Sequence, residues 1–173
     1  MFNQHTRQIM KSLLLNYLQY NHWANEKMCN YLSGVDEDEI LANKKAEYQT
    51  IKKVILHVAD SEQTWLVRLN GKNIPHMHKL DSSESFAGIC STIRNNSVDF
   101  IEFVSGKDDQ FFLLDTQYIN LKGKTFNQNN AEIILHCMNH STFHRGQVMC
   151  MLRHVGYTDH SASDFIMFLR EKG

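Results

Sequence analysis

Apolar side chains recur along most of the chain at steps of three and four residues, the period of a helix with one face turned to a core. In the first segment Ile9, Leu13, Tyr17, Tyr20, Trp23, Ala24 and Met28 keep that step and predict a helix over about residues 6–32. Ser33-Gly34 closes it, with Gly34 read as the left-handed residue that follows a helix. A second helix is predicted over about 51–70, with Thr50 as N-cap and Gly71 as its stop. A third follows Ser82 or Ser83 and runs to about Val104 through Phe86, Ile89, Ile93, Phe100 and Phe103, ending at Ser105-Gly106. The fourth starts at Asn129, with Glu132 three residues on as an approximate capping box, and runs to about His154 before Gly156. A last short helix over about 163–170 carries Phe165, Ile166, Phe168 and Leu169.

The period changes between the third and fourth helices. Over 111–126 short apolar alternation around Lys122-Gly123 predicts a small β-hairpin or extended segment. The acidic patch Asp36-Glu-Asp-Glu39 reads as a solvated loop or helix start. The loop over 71–81, with Pro75, His76 and His78, reads as exposed rather than as a metal-binding pair. Pro75 is the single proline of the chain, which favours long unbroken helices. Four long amphipathic segments bury their stripes most economically against one another, giving an all-α four-helix bundle in one domain over 1–173.

Composition narrows the functional classes. Apolar residues at 42% and charged residues at 21% are those of an ordinary globular domain. A net charge of −1 exerts no general pull toward nucleic acid or anionic membrane. No apolar run approaches a membrane span, and the amino-terminal residues lack the basic start and apolar stretch of a signal peptide, so a cytoplasmic location is expected. The cysteines Cys29, Cys90, Cys137 and Cys150 are scattered without a Cys-x-x-Cys pair. They read as buried free thiols, with Cys137 facing the core.

The chemistry concentrates in the fourth helix, where His136, His140 and His144 stand four residues apart. A step of four drifts by only about 40° and rises about 6 Å, so these side chains share a face, one turn above the other. Two imidazoles one turn apart form a bidentate grip on a transition metal. In a bundle the third ligand comes from a facing helix. His22 and His57 are the histidines well inside other predicted helices, and His57, among Val54, Ile55, Val58 and Ser61, is the better placed. Ser-Thr-Phe stands between His140 and His144, without the glutamate of a zinc-protease motif, and no second carboxylate–histidine repeat marks a di-iron site.

Three separated stretches resemble the DinB family. They are Tyr20-Asn-His-Trp-Ala-Asn25, Leu56-His-Val-Ala-Asp-Ser-Glu-Gln-Thr-Trp-Leu-Val-Arg-Leu69, and Leu135-His-Cys-Met-Asn-His-Ser-Thr-Phe-His-Arg-Gly-Gln147. The ending from Gly156 through Asp164-Phe-Ile-Met-Phe-Leu169 is similar too. The resemblance implies an up-down-down-up bundle, a homodimer, and a divalent metal held by His57, His140 and His144. It assigns His136 away from the metal, to a supporting or core position. Three neutral imidazoles suit zinc, nickel or another first-row divalent ion, and three protein ligands leave a position open, the catalytic pattern. Proteins of this kind include metal-dependent thiol transferases and hydrolases. The expected function is thus S-transferase-like or hydrolase-like chemistry on a small molecule, with a low-molecular-weight thiol as co-substrate. The alternative is a non-catalytic, metal-stabilised dimer of a stress or damage response. Around the triad, Asp60 and Ser61 are candidates to orient a ligand or water, and Gln147 to reach the rim. Arg145 is read as a salt bridge or helix cap, and otherwise as an anion-binding group. The aromatic residues Tyr17, Tyr20, Trp23 and Trp65 read as core, some of them walls of a cleft.

Overall fold

A computed structural model describes residues 4–38, 45–72, 83–158 and 162–173. The loop carrying Pro75, His76 and His78 lies outside those residues. Helices α1 (Gln4–Ser33), α2 (Lys45–Leu69), α3 (Phe86–Ser105) and α4 (Asn130–His154) form the bundle. A 3₁₀ turn at Phe111–Leu113 and a hairpin of β1 (Asp115–Ile119) and β2 (Thr125–Asn129) precede α4, and a short helix α5 (Phe165–Lys172) ends the chain.

Local chemistry sets most boundaries, and it corrects several expected ones. Thr50 is not an N-cap. The chain is already helical at Lys45, since Lys45-Ala-Glu47 are strong helix formers and extend α2 beyond its apolar stripe. The cap of α3 is Ser85, whose Oγ accepts from the Gly88 N–H at 3.1 Å; Ser83 lies in the preceding turn, and Ser82 outside the described residues. Glu37 of the acidic patch accepts from the Phe86 N–H at 3.3 Å, so this carboxylate serves the start of α3. Asn129 caps α4 through the Ala131 and Glu132 N–H groups, as expected. Glu132 takes the side-chain amide of Gln128 instead of completing a capping box. Gly34 is not left-handed; Gly71 and Gly156 are, at φ 77° and 98°. Both sit in paired turns, Lys72 N–H to Val67 O with Gly71 N–H to Arg68 O, and Tyr157 N–H to Leu152 O with Gly156 N–H to Arg153 O.

Contacts between elements fix the topology as up-down-down-up. Asn25 meets Ser97 and Glu26 meets Arg94, so α1 and α3 run antiparallel. Trp65 meets His136 and His57 meets His140, so α2 and α4 are antiparallel. Tyr17 meets Asn139 and Asn25 meets Arg145, so α1 and α4 are parallel. The core splits in two along the bundle. One end packs Met28, Ile51, Ile55, Ile89, Ile93 and Val148; the other packs Leu18, Leu69, Phe100, Phe112, Ile134 and Cys137. Truncating one of these fully buried aliphatic side chains to alanine costs about 2–5 kcal/mol. Tyr17, Tyr20 and Trp23 belong to α1's contact with Phe165 and Phe168 of α5. Cys29, Cys90 and Cys137 are buried, whereas Cys150 is exposed, against expectation, because it lies on the outer face of α4.

Between the two apolar clusters lies a buried polar layer to which all four helices contribute. Glu62 Oε1 accepts from Asn21 at 3.0 Å, Asn25 at 3.2 Å and Ser141 at 2.8 Å. Asn25 also donates to Ser97 Oγ at 3.0 Å. Arg145 donates to the Asn21 and Asn25 side-chain oxygens, at 2.5 and 2.8 Å, and to Thr142 Oγ1 at 2.8 Å. Burial pushes the Glu62 carboxyl up, against the downward pull of its three donors and the Arg145 charge.

Candidate metal centre

α2 and α4 cross so that three imidazoles meet. His57 Nε2 lies 3.0 Å from His140 Nε2, which lies 3.1 Å from His144 Nε2. One ligand atom from each of the three falls within 4.8 Å of the others. The rings are half-buried at the α2–α4 groove. Each helix contributes through simple spacing: His140 and His144 are one turn apart on α4, and the antiparallel α2 brings His57 across to them.

Tautomers favour convergence of lone pairs. His144 Nδ1 donates to Gln147 Oε1 at 2.7 Å, which leaves the Nε2 lone pair facing the cluster. A proton on His140 Nε2 can satisfy only one of the two contacts this nitrogen makes. Burial first, then the neighbouring His144, His57 and His136, pull the His140 pKa down to about 4. Burial and His144 also depress His57, opposed by Asp60. Neutral imidazole is the ligating form.

The donor set fits a small divalent ion. Nitrogens about 2.05 Å from a tetrahedral metal stand roughly 3.3 Å apart, close to the two contacts seen here. Such an ion would be held by three neutral nitrogens, with the groove side left for a further ligand.

A cavity of about 240 Å³ opens beside the cluster, lined by His57, Ser61, Thr64, Trp65, Arg68, Tyr118, Asn120, Leu121 and His140. The hairpin thus forms one wall, a role not foreseen from the alternation of its sequence. The other candidates distribute as follows. His22 stays on α1 and outside the cluster. His136 is exposed, not core, and stands edge-on to Trp65 with ring centres 5.3 Å apart. Asp60 is buried and acts electrostatically on His57, and Ser61 lines the cavity. Arg145 is neither a cap nor an anion site: it is 3% exposed and tied into the polar layer. Arg68 and Tyr118 were missed. The stripe His57, Ser61, Thr64-Trp65, Arg68 repeats at helical spacing and is the signal that points to Arg68.

Comparison with known proteins gives one consistent picture. A model of the DinB family matches residues 1–170. Protein DinB of Bacillus subtilis is 23% identical over 167 residues, spanning 92% of this chain and 95% of that protein. The crystal structure of a DinB-like protein from Bacillus cereus superposes with a TM-score of 0.64 at 18% identity, over 84% of this chain and 95% of that one. YfiT from Bacillus subtilis, described as a probable metal-dependent hydrolase with an unusual four-helix bundle topology, superposes with a TM-score of 0.59 at 12% identity, over 91% and 92%.

Proposed function

The chain belongs to the DinB family, and on that premise we propose that it is a metal-dependent enzyme acting on a small electrophilic molecule. His57, His140 and His144 hold a first-row divalent ion, and zinc and nickel are among those an all-imidazole set suits. The observation that carries this reading is the approach of three histidine Nε2 atoms, two contacts of which are 3.0 and 3.1 Å, next to a cavity. The description of YfiT as metal-dependent supports the same class of chemistry.

When bound, such an ion supplies Lewis acidity and lowers the pKa of a thiol or water that reaches it. The chain's own residues supply the rest. Gln147 fixes the His144 ring, Trp65 and Tyr118 form cavity walls, and Ser61 and Thr64 offer hydroxyls to the ligand. The reaction we favour is thiol transfer. The sulfur bonds to the electrophilic carbon, the thiol proton passes to solvent, and the leaving group departs with its electron pair. Hydrolysis is the same displacement with water in place of the thiol. A second copy of the chain is proposed to cover the exposed side chains Leu13, Leu135, Phe165 and Ile166, which belong to α1, α4 and α5. Light scattering reads that mass directly.

The test is elemental analysis of protein purified without an affinity metal, beside His57→Ala and His144→Ala. About one ion per chain in the wild type and none in either variant is expected. The loaded protein is then assayed with thiol–electrophile pairs and with ester and amide substrates. Equal metal content in all three proteins refutes the site; metal without turnover of either panel refutes the enzyme.

A further inference from the structure

The cavity beside the histidines contains a cation with no ion-pair partner among the described residues. Arg68 is only 6% exposed and lines the cavity. Its guanidinium packs beside an edge-to-face pair of rings, 4.7 Å from the centre of Trp65 and 4.9 Å from that of Tyr118, whose own centres are 5.0 Å apart. One terminal nitrogen donates to the Ile119 carbonyl at 3.1 Å, and Nε is buried with no hydrogen-bond partner. Among the described residues neither ion pair involves it. A guanidinium withdrawn from water and left without a carboxylate is costly unless something else neutralises it. Contact with both rings and the bond to Ile119 hold it in place, which keeps its remaining donors pre-arranged for an anion.

Placement indicates which anion. Arg68 is eleven residues beyond His57 on α2, about 16 Å along the axis, and helical side chains lean toward the N-terminus. The guanidinium and the His57 imidazole thus face one cavity from points about three helical turns apart. With one of its nitrogens already committed to Ile119, a single guanidinium matches a singly charged, forked acceptor. Trp65, Tyr118 and Leu121 give the intervening wall an apolar face.

We propose that Arg68 is a specificity-determining residue that binds the carboxylate of a small substrate, whose apolar stem runs along the cavity wall formed by Trp65, Tyr118 and Leu121 toward the histidines. The proposal rests on the functional reading above for the fate of the ligand, but carboxylate binding itself requires neither metal nor turnover. That independence shapes the test. Trp23→Phe leaves Trp65 as the sole indole, and its fluorescence is titrated with hexanoate and with 1-hexanol, in protein with and without zinc. Hexanoate is expected to bind at least tenfold more tightly than hexanol. R68Q should erase that preference and R68K retain part of it, with metal content unchanged in both. Thermal melts separate binding from hairpin docking, and R68K covers the case in which R68Q fails to fold, since it must weaken hexanoate severalfold without altering hexanol. Equal affinity for acid and alcohol, or a preference that survives the loss of the guanidinium, overturns the proposal. Absence of metal alongside an intact, Arg68-dependent preference would instead overturn the enzyme reading and leave this one standing.

Discussion

Acidification of the metal-free protein probes the histidine cluster directly. An unfolded chain protonates His140 near the ordinary value of 6.5, whereas the folded chain holds it down to about 4. Between those values the unfolded state binds more protons, so stability rises with pH. The contribution is complete above about 6.5 and is lost as pH falls through the window toward 4. A gap of that size corresponds to about 3.4 kcal/mol at most. The ring is only half-buried, and solvent screening reduces this to about 2 kcal/mol. The assay is thermal and urea unfolding of wild type and His140→Gln in chelator, at pH 7.5 and 4.5. His57 keeps its own depression in the variant, because burial and His144 cause it and both remain. The difference in stability between the two proteins should therefore change by about 2 kcal/mol, or roughly 4–8 °C in Tm for a chain of this length, to the wild type's disadvantage at low pH. A difference that stays constant between the two pH values refutes the reasoning, because it would mean that His140 titrates as a solvated imidazole.

The same lone pairs govern the metal: zinc occupancy should persist at pH 6 and collapse on approach to pH 4, measured by dialysis and elemental analysis. Gln147→Leu removes the acceptor that fixes His144 and should weaken zinc roughly 10–100-fold in a chelator competition, with the far-ultraviolet dichroism unchanged. Arg145→Met leaves the oxygens of Asn21 and Asn25 without their buried donor and Glu62 without its nearby charge, and should cost about 3–5 kcal/mol in guanidinium unfolding. Asn129→Ala removes the α4 cap and two bonds to the Phe112 and Leu114 carbonyls, and should cost about 2 kcal/mol by the same measurement.

The bundle was readable because helix period is a property of neighbours in sequence. The stripes of α1 to α4, the hairpin turn at Gly123 and the cap at Asn129 all follow from residues within a few positions of one another. Two of the proposed ligands, His140 and His144, stood out for the same reason, although their spacing marked His136 equally and only the family resemblance set it aside. His57 needed the facing helix, and residue spacing ranked it above His22 without deciding between them. What sequence did not show is set by how helices rotate about their axes. Glu62 reads as one more polar residue on α2, yet it is fully buried, because Asn21, Asn25 and Ser141 reach it from two other helices. Arg68 and Tyr118 meet only when the hairpin folds back onto α2.

α4 shows how these scales join. His140 and His144 occupy one face, and the residues that follow each, Ser141 and Arg145, lie about 100° round the helix. The second pair is bonded to Glu62 on α2 and to Asn21 and Asn25 on α1. Rotating α4 enough to separate its histidines from His57 would pull both anchors out of the polar layer. The cost is that of stripping partners from buried polar groups, about 1–3 kcal/mol for each and more where charge is involved. An apolar interface would tolerate such a rotation far better, because dispersion contacts can be exchanged for neighbouring ones. The buried layer therefore fixes the helix register that the imidazoles require, and His-Ser and His-Arg at adjacent positions are two faces of one constraint. The Arg145→Met variant is therefore informative twice over: beyond its lower stability, its zinc affinity should fall although no atom of the histidine cluster has changed.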